Sequence, residues 1–151
     1  CWGDNAYGEL GDGTTADRPV PVDVNGLTGG VQAVVTSSNH TCALTTAAAV
    51  KCWGNNEYGQ LGDGTTNGRS APVDVSGFDS SGSSAQAITL GEQHTCALTT
   101  AAAAAAGSGV KCWGGNGYGQ LGVNPGGIPV DVIDPNSTPI EFDLYLPLIR
   151  Y

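Results

Sequence analysis

The apolar positions of this chain come in short bursts separated by glycine, asparagine and threonine. Val31 to Val35 and Ala85 to Leu90 each run into a His-Thr-Cys-Ala-Leu segment, at His40 to Leu44 and His94 to Leu98. Lys-Cys-Trp-Gly, at Lys51 to Gly54 and Lys111 to Gly114, is a third kind of burst. Pro-Val-Asp-Val, at Pro21 to Val24, Pro72 to Val75 and Pro129 to Val132, is a fourth. Each has the length of a short strand, and the prolines suit a strand start or an edge. The pattern predicts an all-β chain with four short strands per unit and turn-rich stretches between them. With 24 glycines and only 13% charged residues, the composition suits tight turns rather than helices. Ala101 to Ala106 has a helical composition, but a run this short, between Thr-Thr and Gly-Ser-Gly, is not a stable helix. Those alanines, like Ala47 to Ala49, occupy hairpin tips where glycine, asparagine or aspartate usually supplies the turn.

Beyond Val132 the pattern changes. Ile140, Phe142, Leu144, Leu146 and Leu148 alternate with Glu141, Asp143, Tyr145, Pro147 and Ile149, the period-two signature of a half-buried strand. Pro147 argues for an edge position. Residues 133–151 therefore read as a non-repeat linker and strand after an array over residues 1–132. Two readings stand side by side. The strand folds back over its own chain's open edge, or it pairs with a neighbouring subunit through Ile140, Phe142, Leu144, Leu146 and Leu148.

The bursts belong to a repeat. Cys-Trp-Gly opens CWGDNAYGELGDGTT, CWGNNEYGQLGDGTT and CWGGNGYGQLGVNPG, with starts at 1, 52 and 112 that lie 51 and 60 residues apart. Self-similarity near a period of roughly 40–50 residues marks propeller blades or solenoid coils, since one unit cannot bury its apolar face alone. Trp2, Trp53 and Trp113 recur in register, as do Tyr7, Tyr58 and Tyr118. Recurrence at blade period reads as core packing rather than a ligand cage. The oxygen-rich loops around Asp4, Asn5 and Asp12, and around Asn55, Asn56 and Asp63, lack the spacing of a calcium loop and read as turn chemistry.

The fixed order of W-G-x-N-x-x-G-x-L-G, G-T-T, P-V-x-V and H-T-C-A-L resembles the repeat of the regulator of chromosome condensation family. The resemblance covers nearly the whole chain up to about Val132. It implies blades of a seven-bladed β-propeller. At about 50 residues per blade the chain supplies about three, so an incomplete or open ring is expected. The cysteine-bearing form resembles the family's bacterial secreted and surface proteins. The chromatin role of the eukaryotic founder does not follow from the repeat itself.

The cysteines add a constraint. Placing Cys42 opposite Cys52 in a hairpin also pairs Leu44 with Val50, and Cys96 with Cys112 repeats the arrangement across a longer loop. Opposed antiparallel residues have Cα separations of about 4.5–5.5 Å, within what a disulfide tolerates. Two such bridges imply an extracellular or cell-surface home. Cys1 has no upstream partner and is read as unpaired, as bonded to another chain, or as the start of a repeat whose first strands are missing. A metal site over His40, Cys42, His94 and Cys96 is the weaker alternative, because zinc wants four ligands at compact spacing. The histidines read as buried structural groups. Sequons occur at Asn39 and Asn136, and Asn136, in a Pro/Ser/Thr loop, is the expected glycan acceptor.

Net charge is −9, with five basic residues that do not cluster, which excludes a phosphate-neutralising surface and hence nucleic acid. No apolar run approaches the roughly 18 residues that span a membrane. No nucleophile–base pair, dinucleotide loop or phosphate loop appears, so neither catalysis nor a cofactor is expected. The leading expectation is an extracellular structural or adhesive repeat protein, a subunit of a surface assembly or filament through edge-strand pairing. The alternative is a protein- or glycan-recognition propeller module of a larger secreted protein. The partner is then a second copy of the chain, another surface protein or a glycan.

Overall fold

The computed structural model describes residues 1–78, 84–100 and 109–121, and the backbone of 126–131. Asn136, Ile140, Phe142, Leu144, Leu146 and Leu148, and the alanine run at 101–106, lie outside the described residues.

The strands form two four-stranded antiparallel meanders. The first runs β1 (Val31–Thr36), β2 (His40–Thr45), β3 (Val50–Gly54) and β4 (Arg69–Asp74). The second runs β5 (Ser84–Leu90), β6 (His94–Thr100), β7 (Gly109–Gly114) and β8 (Gly126–Asp131). Both sheets shift register at matching places, at Val31/Ala33 and Ala85/Ala87 on the first strand and at Cys52/Gly54 and Cys112/Gly114 on the third. A part-unit precedes them. Cys1 and Val22 exchange backbone hydrogen bonds at 2.9 and 2.8 Å, and Gly3 and Arg18 do so at 2.8 and 2.9 Å. That ladder repeats the pairing of β3 with β4.

The sheets are out of phase with the sequence repeat. A unit counted from Cys52 opens on the third strand of one sheet and closes on the second strand of the next. Each copy of the repeat therefore bridges two blades, and every blade is completed by the following copy. The all-β, propeller-type expectation holds.

In the hairpins, Cys42 faces Cys52 and Leu44 faces Val50, while Cys96 faces Cys112 and Leu98 faces Val110. Both cysteine pairs are disulfide-bonded, each with Cα atoms 4.1 Å apart. At the tip of the first hairpin Ala48 holds φ of +59°, a left-handed position that favours glycine. The tip survives because Thr45 Oγ1 accepts from Ala49 N and Thr45 N donates to Ala49 O.

The core lies between the two sheets. Cys42, Leu44, Val50 and Cys52 come from the first sheet, and Ala85, Ala97 and Trp113 from the second. The loop residues Leu61, Val75 and Phe78 close it. Phe78 meets Trp113 with ring centroids 5.6 Å apart and planes tilted by 45°. Fully burying side chains of this size stabilises by about 1.5–3 kcal/mol each. Beside the part-unit, Leu27 stands where the next unit has Phe78, and Val31, Val34 and Trp53 line an open groove there.

Candidate interaction surface

The tryptophan and threonine that recur in the copies turn inward and fasten one unit to the next. Trp53 Nε1 and Thr41 Oγ1 both donate to the carbonyl of Glu9, at 2.7 and 2.9 Å. One unit later, Trp113 Nε1 and Thr95 Oγ1 both donate to the carbonyl of Gln60, at 3.0 and 2.8 Å. A carbonyl has two lone pairs, so this one backbone group satisfies both donors in a buried setting. The arrangement requires glycine two residues beyond the acceptor. A Cβ on Gly11 would lie 2.7 Å from Trp53 Nε1, and one on Gly62 2.6 Å from Trp113 Nε1.

A buried amide shapes the loop that carries the acceptor. Asn56 Nδ2 donates to the carbonyls of Thr65 and Asn67, each at 3.0 Å, and its Oδ1 accepts from Leu61 N at 2.9 Å. Asn5 makes the same set with Thr14, Ala16 and Leu10. These asparagines are 0–1% exposed. They replace the loop's missing backbone ladder with side-chain bonds, and so drive Leu10 and Leu61 into the interior. In the third copy Asn116 Oδ1 accepts from Leu121 N in the same way.

The loop acids are likewise engaged within the fold. Asp12 binds Arg18 at 2.7 Å and Asp63 binds Arg69 at 2.9 Å. The Thr14 hydroxyl, opposed by desolvation and helped by Arg18, brings the Asp12 carboxyl down to about 2. Burial pushes the Asp63 carboxyl up, but bonds from Thr65, Arg69 and Asn56 outweigh it and leave the group below the usual carboxylate range. Both acids accept from cations and hydroxyls already in the loop, consistent with the turn-chemistry reading. Among the described residues no group of three or more His, Cys, Asp or Glu side chains converges as a metal site would.

His40 is fully buried and spans the blades. Its Nδ1 lies 2.8 Å from Ser37 Oγ and its Nε2 lies 3.0 Å from Thr95 Oγ1. Thr95 gives its one hydroxyl proton to Gln60 O, so His40 Nε2 carries the proton it shares with Thr95, and Nδ1 accepts from Ser37. Burial, with some repulsion from His94, lowers its pKa to about 4. A neutral ring with both nitrogens occupied is a fastener, and its sulfur neighbours are in disulfides. Cys1 is a free thiol, partly buried at the edge of the part-unit.

The aromatic residues divide, which corrects one expectation. Trp53 and Trp113 are fully buried, but Tyr7, Tyr58 and Tyr118 are 49%, 45% and 98% exposed, and Trp2 is 66% exposed. The tyrosines do not enter the core because the asparagine bond pulls the leucine three residues later inward and leaves the tyrosine on the tip of the turn. Each tip is locked the same way. The backbone N–H of Tyr7 donates to Glu9 Oε2, that of Tyr58 to Gln60 Oε1 and that of Tyr118 to Gln120 Oε1, all at 2.9 Å. The sequence reading missed both the double acceptor and the buried asparagines. Only the recurrence of asparagine two residues after Trp-Gly hinted at the latter.

Comparison with known proteins matches this arrangement. The model of the regulator of chromosome condensation (RCC1) repeat matches residues 1–44 and 50–98, and a second model of the same repeat matches residues 31–60. The chain is 37% identical over 126 residues to the human probable E3 ubiquitin-protein ligase HERC4, covering 82% of this chain and 11% of that protein. It is 37% identical over 122 residues to human HERC2, covering 80% of this chain and 2% of the relative. It is 31% identical over 124 residues to the Arabidopsis thaliana ultraviolet-B receptor UVR8, of which it spans 26%. Among solved structures, human WBSCR16 superposes with a TM-score of 0.64 at 21% identity, over 85% of this chain and 33% of that one. Yeast RCC1 (Prp20), crystallised with Kap60 bound, gives 0.64 at 18% identity, over 91% and 33%. By its repeats and by the sheets they build, the chain belongs to the regulator of chromosome condensation (RCC1) repeat family.

Proposed function

We propose that the chain is a protein-recognition segment of a larger protein, presenting the loops between the third and fourth strands of its blades to a partner. One observation carries this reading. The inward motif residues Trp53, Thr41, Asn56, Asp63 and His40 are spent on fastening and loop folding, while Tyr7, Tyr58 and Tyr118 stand exposed on turns whose backbone is locked. Rigid exposed aromatic side chains are the residues interfaces favour. The relatives support the same view, since the shared stretch is a minor part of two ubiquitin-protein ligases and of an ultraviolet-B receptor. The ligase activity in two of those names stays with those proteins. This reading displaces the adhesive filament, whose main support was a tail outside the described residues. The two hairpin disulfides favour an extracytoplasmic setting, because reducing compartments keep such pairs open. The bacterial origin that the cysteines implied has no support in these relatives, which come from human and Arabidopsis thaliana.

Sedimentation velocity on the full chain across a wide concentration range tests this reading. A single discrete species supports recognition, whereas growth into an open polymer overturns it in favour of a structural role. Non-reducing peptide mapping of protein from its native source tests the compartment. Free Cys42 and Cys96 there would remove the extracytoplasmic assignment.

A further inference from the structure

The three exposed tyrosines point to the chemistry of the partner. Single exposed aromatics are ordinary on a protein surface and need no explanation. Here Tyr7, Tyr58 and Tyr118 occupy one repeat position, and each backbone N–H is held by the side chain two residues on. A ring on a locked turn loses little further freedom on binding, so the three form a preorganised ladder along the array.

Near Tyr7 and Tyr58 the charges without an ionic partner are acidic, while Tyr118, between Gly117 and Gly119, has no adjacent charge. Glu57 precedes Tyr58 and is exposed, with no side-chain partner among the described residues. Asp4 is exposed three residues before Tyr7 in the same loop, its Oδ1 accepting from Ala6 N at 3.0 Å, and Glu9 Oε2 accepts from Tyr7 N itself. The cations that could neutralise these acids are committed elsewhere: Arg18 to Asp12, Arg69 to Asp63 and Lys51 to Asp74. An aromatic face beside an unneutralised carboxylate suits a guanidinium or ammonium group, which can stack on the ring and pair with the acid together. With a net charge of −9, the whole chain attracts such a partner at longer range as well.

We propose that Tyr7, Tyr58 and Tyr118, with Asp4, Glu9 and Glu57, bind an extended arginine- or lysine-rich protein segment laid across successive loop tips. The proposal rests on the recognition reading above and names its partner class. It is tested by fluorescence anisotropy of the full chain with a fluorescein-labelled nona-arginine peptide, with a nona-glutamate peptide as control. The expected result is binding of the basic peptide alone. The combined Tyr7→Ser, Tyr58→Ser and Tyr118→Ser variant should bind at least about tenfold more weakly, with an unchanged far-ultraviolet circular dichroism spectrum. Glu57→Gln should weaken binding severalfold, while Asp23→Asn, which removes the same charge away from the tyrosines, should leave it within about twofold. Failure of the basic peptide to bind, equal binding of both peptides, or a tyrosine variant within twofold of the parent would each overturn the proposal. A monomer in sedimentation combined with any of those results sinks the ladder alone, whereas an open polymer sinks the recognition reading beneath it.

Discussion

The indole N–H of Trp113 donates to the carbonyl of Gln60, fifty-three residues earlier in the chain, at 3.0 Å. The same bond joins Trp53 to Glu9 at 2.7 Å, so one contact recurs at each described junction between units. The acceptor is a backbone group, free to be kept whatever the side chain, and Glu9 and Gln60 indeed differ. The junction is therefore fixed in geometry while the surface beside it is free to vary.

Gly62→Ala tests the closeness of that junction. The residue has φ of +69°, and its new Cβ would fall against the Trp113 ring, forcing the indole off its acceptor. Gly26, with φ of +72° and open space around it, isolates the backbone cost. Gly26→Ala should lose about 1–2 kcal/mol in urea unfolding from its conformation alone. Gly62→Ala should lose roughly 1–3 kcal/mol more, from the buried indole N–H left unpaired and the displaced ring. Equal losses would show that the tryptophan accommodates a methyl group freely.

Phe78 closes the core between the two sheets by packing on Trp113. Phe78→Leu is expected to lower stability by about 1–3 kcal/mol. A urea midpoint equal to the parent's would show that the contact between the two rings contributes nothing.

Two acid transitions are expected and are separable. The pKa of His40 falls from 6.5 to about 4 on folding, so the unfolded chain takes up a proton that the folded chain refuses. Stability is thus level above pH 6.5 and declines as pH falls towards 4, by up to about 3 kcal/mol. Asp12 and Asp63 act lower. Their folded carboxyls titrate below the unfolded value of 3.8, so the stability they contribute is present above that pH and is lost as pH falls further, for Asp12 through about 2. Urea midpoints measured against pH should show both declines. His40→Gln should flatten the upper one and leave the lower one; an upper decline that survives in the variant would assign it to another group.

The hairpin disulfides should each contribute. A bridge closing ten residues, as Cys42–Cys52 does, constrains the unfolded chain by roughly 3 kcal/mol. Cys42→Ser is expected to lower the thermal midpoint under oxidising conditions and to converge with the parent protein after full reduction. Peptide mapping that linked Cys42 to Cys96 would contradict the hairpin register itself.

The strands, the hairpin register and the cysteine pairs were determined by the sequence alone, because all are local. Cys42 and Cys52 lie ten residues apart on facing strands, and pairing Leu44 with Val50 leaves that register no freedom. The repeat likewise made the family legible, since its glycines, prolines and tryptophans answer to turns, edges and junctions at fixed spacing. Only the tertiary structure decided where a blade begins, which aromatics are buried and what each polar motif residue touches. A unit read from Cys52 spans two sheets, because sheet membership follows hydrogen bonding rather than the order of similar words. Tyr58 and Trp53 recur equally well in the sequence. One is exposed and the other buried because Asn56 turns the loop so that Leu61, not Tyr58, faces inward. The partners of Trp113, Thr95 and His40 are reached across 35 to 55 residues, and two of those donors end on a main-chain carbonyl. A carbonyl is present at every residue and leaves no mark in a sequence, so the contact that joins the blades emerges only when the chain has folded.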